Sequence, residues 1–401
     1  MRGVLSNGCV YSTSKILRRT WAEIDLDTLA HNYSALKKRI GENVKFLGVV
    51  KADAYGHGSV QISRLLQDLG ADYLAVSSID EAIELRKNDI TMPILILGHT
   101  PREQVSRLIE YNITQAVTCK AKALEYSEEA VKANGTLKIH IKVDTGMSRL
   151  GYLCDNDFFE NGVDGICHGC SLPGLYAEGI FTHFAVSDEA GDQNAEYTKH
   201  QFKLFCDVIN EVENKLGHKF EIKHCANTGA VAKYPETWLD MVRPGLLLYG
   251  YGEFADELGL KPVMTLKTTV STIKIYPAGT AISYGGIFKT TDTTRIGVVP
   301  YGYADGFFRC LSNKYSLMTK EGPACIRGKI CMDMCMIDLT GKPSVDVGSE
   351  VEIFGKKNSI NKMAQMAQTI PYELTCAVSK RVPRFYIKDN KIVEKELLLR
   401  G

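Results

Sequence analysis

From Trp21 the apolar positions fall into a helical rhythm. Leu29, Tyr33, Leu36 and Ile40 recur at three- to four-residue spacing behind Asp27, a candidate cap. Short apolar, β-branched runs then alternate with amphipathic stretches. The runs are Val44–Lys51, Tyr73–Ser77, Pro93–His99, Gln115–Cys119, Leu137–Thr145, Leu175–Phe184, Phe220–Asn227 and Met241–Gly250. Helices are expected between most of them, as at Ser59–Leu69, Ser78–Lys87, Arg102–Tyr111 and Asn194–Leu216. Such alternation predicts an α/β fold with a parallel sheet covered by helices, and this number of units fits a (β/α)8 TIM-type barrel. A doubly wound open sheet is the competitor, but it would normally carry a Gly-rich nucleotide turn after its first strand, and the chain shows none.

The texture changes after Gly259. Thr-, Val- and Ile-rich segments with Gly and Pro turns follow: Thr265–Tyr276, Arg295–Val299, Pro323–Ile330, Cys335–Leu339 and Val351–Phe354, with one helix near Ile360–Gln368. They predict an antiparallel, mainly-β C-terminal domain. The expected organisation is a barrel over 21–259 and a β-domain over 260–401. Residues 1–20 lack the apolar region of a secretory signal and are expected to form a flexible extension.

Composition narrows the function classes. Forty-eight basic against 47 acidic side chains leave a net charge of +1, so no electrostatic footprint suggests nucleic acid or an anionic membrane. No apolar run approaches the roughly 18 residues of a membrane span, and a cytoplasmic protein is expected. The 12 cysteines are dispersed, and Cys119, Cys206, Cys325 and Cys376 read as small hydrophobes. The one C-x-x-C, Cys167 to Cys170, lacks a second pair at zinc spacing, so no metal site is expected.

In a barrel, residues just past the strand C-termini build the active site. That rule selects Lys51 and the following loop through Tyr55 and His57, Asp144–Arg149, His183, Asn227–Gly229, and Arg243–Gly250. A lysine closing an apolar strand has two readings. It forms a Schiff base with an aldehyde cofactor, or it snorkels out of the barrel mouth.

The segment Val50-Lys51-Ala52-Asp53-Ala54-Tyr55-Gly56-His57-Gly58 resembles the pyridoxal-phosphate attachment motif of the alanine racemase family. The likeness continues through Asp144–Gly151, Thr182–Ala185, Met241–Gly245, Ser283–Gly285, Gly302–Gly306, Ile330–Asp333 and Arg381–Arg384, in the family's order. It implies a pyridoxal 5'-phosphate-dependent racemase of L- and D-alanine, supplying D-alanine for cell-wall peptidoglycan. It also implies a head-to-tail homodimer in which the second domain completes the neighbour's site. Serine or broad-specificity racemisation is the alternative. A non-catalytic pyridoxal-phosphate-binding regulator is less favoured, because those barrels are shorter and lack the β-domain.

The resemblance assigns roles residue by residue. Lys51 carries the cofactor and acts as one acid/base, with Tyr284 as the other. A free phenol is a poor base at a pKa of about 10, and His183 and Arg243 supply the network that favours the phenolate. Arg243 faces the pyridine nitrogen and keeps it neutral. Arg149 approaches the cofactor's phenolic oxygen and the substrate carboxylate, held by Lys142 if that lysine is carbamylated. Tyr55 and Thr228 offer side-chain donors to the phosphate, and Gly245 and Leu246 offer backbone donors. The backbone N–H of Met332, between Cys331 and Asp333, binds substrate carboxylate. Tyr301, Tyr303 and Arg309 are expected near substrate access, and Lys380 where several relatives carry a phosphate-contacting tyrosine. His57 and Asn227 are expected only to fix their loops.

Overall fold

A computed structural model describes residues 19–397; of the expected extension over residues 1–20, residues 1–18 lie outside the described residues, while Arg19 pairs with Asp305 and Thr20, 3% exposed, opens a strand. The chain packs as two compact units, one of residues 33–54 and 59–248, the other of residues 19–32, 55–58 and 249–397.

In the first unit, strands Lys45–Val49, Tyr73–Val76, Ile94–Ile96, Thr114–Val117, Leu137–Asp144, Leu175–Phe181 and Ile222–His224 pair in sequence order, all parallel. Met241–Val242 returns to the first of them, with Met241 opposite Lys45. Asp240 N–H donates to Lys223 O at 3.1 Å and Arg243 N–H to Ala226 O at 2.9 Å, stitching the last two strands together. The sheet therefore nearly closes into the expected barrel, which removes exposed strand edges. Strands such as Tyr73–Val76 and Ile94–Ile96 are buried throughout, as parallel strands covered on both faces should be. The helices start where local chemistry allows. Ser78 and Glu81 form a reciprocal capping box at Ile79–Arg86, worth about 1 kcal/mol.

The first helix spans Leu26–Ile40, but its cap is not Asp27. Asp25 Oδ1 accepts from Thr28 N–H at 2.9 Å, whereas Asp27 Oδ2 accepts from Asp389 N–H at 2.6 Å.

The second unit holds a seven-stranded sheet in the order Gly322–Cys325, Ser316–Thr319, Glu350–Phe354, Met264–Thr269, Thr20–Asp25, Arg384–Lys388, Lys391–Glu396. A three-stranded sheet of Thr272–Tyr276, Thr294–Val299 and Cys335–Asp338 and a small hairpin complete it. Strand Thr20–Asp25 pairs antiparallel with Met264–Thr269 and parallel with Arg384–Lys388, and Trp21 packs with Phe385 and Ile392. Helices Ile360–Ala367 and Pro371–Cys376 follow strand Glu350–Phe354 in this unit.

Candidate active site

The first barrel strand stops at Val49, and Lys51 opens a single tight turn, Lys51–Gly56. Ala52, Asp53, Ala54 and Tyr55 have φ of +51°, +55°, +52° and +52°, so the turn is left-handed. Each L-residue there costs roughly 1–2 kcal/mol, and such strain persists only where the surroundings over-determine it. They do so here. Glu81 Oε1 accepts from Ala52 N–H at 2.7 Å, Asp53 Oδ1 accepts from Ser59 N–H at 2.8 Å, and Val50 O accepts from Ala54 N–H at 2.9 Å. Arg384, 2% exposed, donates from Nε to Gly56 O at 3.2 Å while its Nη atoms hold the carbonyls of Val378, Ser379 and Val382. Gly56 has φ +80°, and a Cβ on it would lie 2.3 Å from Thr375 O. Gly56→Ala is therefore expected to destabilise the fold by about 2–3 kcal/mol, read as a lowered urea midpoint; an unchanged midpoint would contradict the close approach.

Basic groups gather in the barrel unit. Arg243 is 4% exposed. Its Nη2 donates to Thr182 O at 2.8 Å and Cys225 O at 3.1 Å and lies 3.4 Å from His183 Nδ1, while Nη1 lies 2.9 Å from His224 Nδ1. Burial brings the Arg243 pKa down to about 10, which still leaves it charged near neutrality. His183 is held well below its ordinary pKa by burial and then by Arg243, Lys142, Arg149 and Lys51. Lys142, 6% exposed, donates from Nζ to Val143 O at 2.7 Å. Burial, then the charge of Arg243, pushes its pKa down to about 7. Arg149 is exposed, at the end of a turn shaped by Asp144 Oδ1, which accepts from Gly146 and Ser148 N–H at 3.0 Å each.

The expected phosphate donors of this unit also meet. Gly245 N–H donates to Thr228 Oγ1 at 3.0 Å, and Leu246 begins the turn Leu246–Tyr249. Asn227 caps the helix Thr228–Lys233 by accepting from Ala230 N–H at 3.2 Å, and Ser187 Oγ donates to it at 2.6 Å. It fixes its loop.

In the second unit Tyr55 is 5% exposed, with its ring edge-on to Tyr249 at 5.3 Å and Tyr372 at 5.1 Å. Burial, then the neighbouring tyrosines, raises its pKa, so its hydroxyl stays protonated and available as a donor. Tyr372 was not legible in the sequence, because one aromatic in a six-residue helix has no periodic signature. The buried His57 ring lies 4.6 Å from Tyr249, and its Nδ1 is 3.0 Å from Tyr55 O.

Tyr284 is 69% exposed at the start of the turn Tyr284–Gly286. The preceding Ser283 donates from Oγ to Lys329 O at 2.6 Å and lies 3.5 Å from Cys331 Sγ, so the Tyr284 turn sits beside the Met332 loop. Met332 O accepts from Ala304 N–H at 2.9 Å, and Asp333 pairs with Arg381 at 2.7 Å. Gly302 permits this approach, since a Cβ there would lie 2.3 Å from Met332 O. Tyr301 departs from the expectation of a place at substrate access. It is 1% exposed and packs against Phe307 at 5.0 Å, so it belongs to the core. Tyr303, Arg309 and Lys380 are exposed.

Among the described residues there is no group of three or more His, Cys, Asp or Glu able to hold a metal ion, and no helix long and apolar enough to cross a membrane.

Residues 24–253 match the alanine racemase N-terminal domain family and residues 263–386 the C-terminal domain family. Alanine racemase 1 of Clostridium acetobutylicum is 45% identical over 94% of this chain and 98% of its own length. The alanine racemase of Clostridium tetani is likewise 45% identical, with the same coverage of both chains. Among solved structures, alanine racemase of Clostridium difficile 630 superposes with a TM-score of 0.90 at 37% identity, covering 96% of this chain and all of that one. With both domain families matched in order, over nearly the whole chain, and on the same fold, the protein belongs to the alanine racemase family.

Proposed function

We propose that this chain interconverts L- and D-alanine in the cytoplasm with pyridoxal 5'-phosphate as its cofactor, supplying D-alanine for peptidoglycan. The observation that carries this reading is the gathering of Lys142, His183 and Arg243 in the barrel, with Arg149 and Lys51 bearing on the same histidine. Cationic side chains gathered around a neutral imidazole call for an anionic ligand. A phosphate, a phenolic oxygen and a substrate carboxylate meet that demand, so the donor set fits the cofactor.

When bound, the cofactor supplies the electron sink that acidifies the substrate's Cα–H. Lys51 would hold it covalently and carry a proton at Nζ on one face, and Tyr284 would carry one at Oη on the other. Thr228, Gly245, Leu246 and Tyr55 would hold the phosphate; Arg149 and the Met332 N–H would hold the carboxylate. Arg243 would keep the ring nitrogen neutral, since a guanidinium can only donate. His183, kept neutral by burial, would accept from Arg243. Tyr284 would come from the second subunit of a homodimer. Lys142, with a free amine available near neutral pH, would add to carbon dioxide by forming an Nζ–C bond and releasing one proton, giving a carbamate anion beside Arg149.

The direct test is incubation with cofactor and L-alanine or L-serine, with chiral separation of the products. D-alanine should dominate. Dominant D-serine would place the chain among serine racemases, and cofactor binding without either product would overturn racemisation.

Two further outcomes follow from the buried cations. Arg243→Glu should slow racemisation and release pyruvate, with the amino group left on the cofactor, because a carboxylate opposite the ring nitrogen would favour its protonation and so a stronger electron sink; wild-type turnover without pyruvate would contradict the role. Unfolded, Lys142 keeps its proton up to its ordinary value of 10.5, but folded only up to about 7. The unfolded state therefore binds more protons in that window, and stability rises with pH across it. In carbon-dioxide-free buffer the wild type should gain on the order of 2 kcal/mol between about pH 7 and 9, measured by urea unfolding. Lys142→Met should lose that contribution, and an identical gain in the variant would contradict it.

A further inference from the structure

The barrel interior carries a row of polar side chains that the proposed chemistry leaves unused. His224 Nδ1 lies 2.9 Å from Arg243 Nη1, and His224 Nε2 lies 2.9 Å from His140 Nδ1. His140 Nε2 is 3.1 Å from Glu178 Oε2, which also accepts from Tyr73 Oη at 2.5 Å. The other Glu178 oxygen is 3.5 Å from Lys138 Nζ. Both histidines are fully buried, in a barrel interior where branched apolar side chains are the rule. Buried polar groups are costly unless fully satisfied, so a row of them calls for a reason.

The surrounding backbone is shaped to the row. A Cβ on Gly179 would lie 2.7 Å from the His140 ring, so only a glycine leaves the ring its place. The pairing of Leu137–Asp144 with Leu175–Phe181 shifts register between Ile139 and His140. Phe181 stacks on the His224 ring at 4.8 Å, with 8° between the planes.

The row can run in only one sense. The Arg243 guanidinium has donors and no acceptor, so His224 Nδ1 must accept. The His224 hydrogen then sits on Nε2 and is donated to His140 Nδ1. His140 in turn carries its hydrogen on Nε2 and donates to Glu178, whose carboxylate only accepts. Burial, ahead of every other influence, lowers the pKa of both histidines and keeps them neutral. Burial works against ionising Glu178, but the hydrogen bonds from His140 and Tyr73 overcome it and hold its pKa at about 2.

We propose that Glu178 and His140 are positioning residues, a one-way hydrogen-bond chain that holds His224 in the Nε2–H tautomer and thereby fixes the Arg243 guanidinium. The consequence for the reaction rests on the reading of Arg243 as the partner of the cofactor ring. Without the carboxylate, both histidines are free to move their hydrogen to Nδ1. His224 would then present a donor to a donor, and the guanidinium would turn away or lose that bond.

Heteronuclear NMR of the holoenzyme with isotope-labelled histidine reads the tautomers directly. In the wild type, His140 and His224 should both be neutral Nε2–H between about pH 6 and 8; either ring as Nδ1–H, or protonated there, overturns the chain even if no variant folds. Glu178→Leu should move His224 toward Nδ1–H, lower kcat roughly tenfold with little change in KM, and raise pyruvate release. Glu178→Gln, which keeps a carbonyl acceptor, should restore the tautomer and most of kcat. Tyr73→Phe should leave the tautomer as it is. An unchanged His224 tautomer in Glu178→Leu overturns the proposal. If the tautomer shifts but kcat and pyruvate release do not, the chain stands and the assignment of Arg243 to the cofactor ring falls.

Discussion

Tyr284→Phe is expected to lower racemisation in both directions by roughly two to four orders of magnitude, the usual contribution of a positioned acid/base. Inversion needs a proton removed from one face of Cα and returned on the other, and losing either group blocks both directions. The two groups nevertheless differ in what they leave behind. With Lys51 intact, the phenylalanine variant should still exchange the α-proton of one enantiomer with deuterated solvent, without inversion. Folding should be nearly unaffected, because Tyr284 is 69% exposed and surface substitutions usually stay within about 0.5 kcal/mol. Polarimetry and deuterium wash-in followed by mass spectrometry measure both effects. A variant that inverts alanine at the wild-type rate, or exchanges both enantiomers equally, would remove Tyr284 from the chemistry.

Lys51→Ala is expected to abolish turnover, since the same side chain attaches the cofactor and carries the other proton. Mixed with Tyr284→Phe, it also tests whether the site is shared. In a closed two-fold dimer the contacts between subunits are equivalent. If Tyr284 serves the neighbour's Lys51, a mixed dimer holds one site with both wild-type residues and one with neither. Random exchange of equal amounts should then restore about a quarter of the wild-type sites. Verified mixed dimers without activity would show that each chain completes its own site.

The barrel was legible because parallel strands buried on both faces read as isolated apolar runs: seven of the eight strands that close it fall inside those runs, and Thr114–Val117 starts one residue ahead of its run, Gln115–Cys119. Their ends were less so. The run ending at Lys51 is a strand only to Val49, since a left-handed turn of ordinary residues leaves no mark on hydrophobic periodicity. Strand Thr20–Asp25 was invisible for a different reason: its partners, Met264–Thr269 and Arg384–Lys388, lie far away in sequence, and six residues carry too little pattern alone. The run Thr265–Tyr276 proved to be two strands in different sheets, parting at Val270 and Ser271.

The candidate site divides in the same way. Lys51 stands out physically, as a lysine closing an apolar strand, and Arg243 falls at a strand end by the barrel rule, whereas Tyr284 and Met332, and the role of Arg243, come by resemblance. Tyr73, His140, Glu178 and His224 carry no motif, yet they leave a signal: His140 and Lys142 alternate with isoleucine and valine inside one barrel strand. Such alternation normally marks a face turned to water; here it marks the barrel interior, a distinction only the closed sheet makes visible.

The central claim is that Lys51, at the end of the first barrel strand, carries the cofactor. Borohydride reduction of the protein with pyridoxal phosphate, followed by digestion and peptide mass mapping, tests it most directly. The pyridoxyl mass should appear on the peptide containing Lys51; a stable label on any other lysine would remove Lys51 from that role.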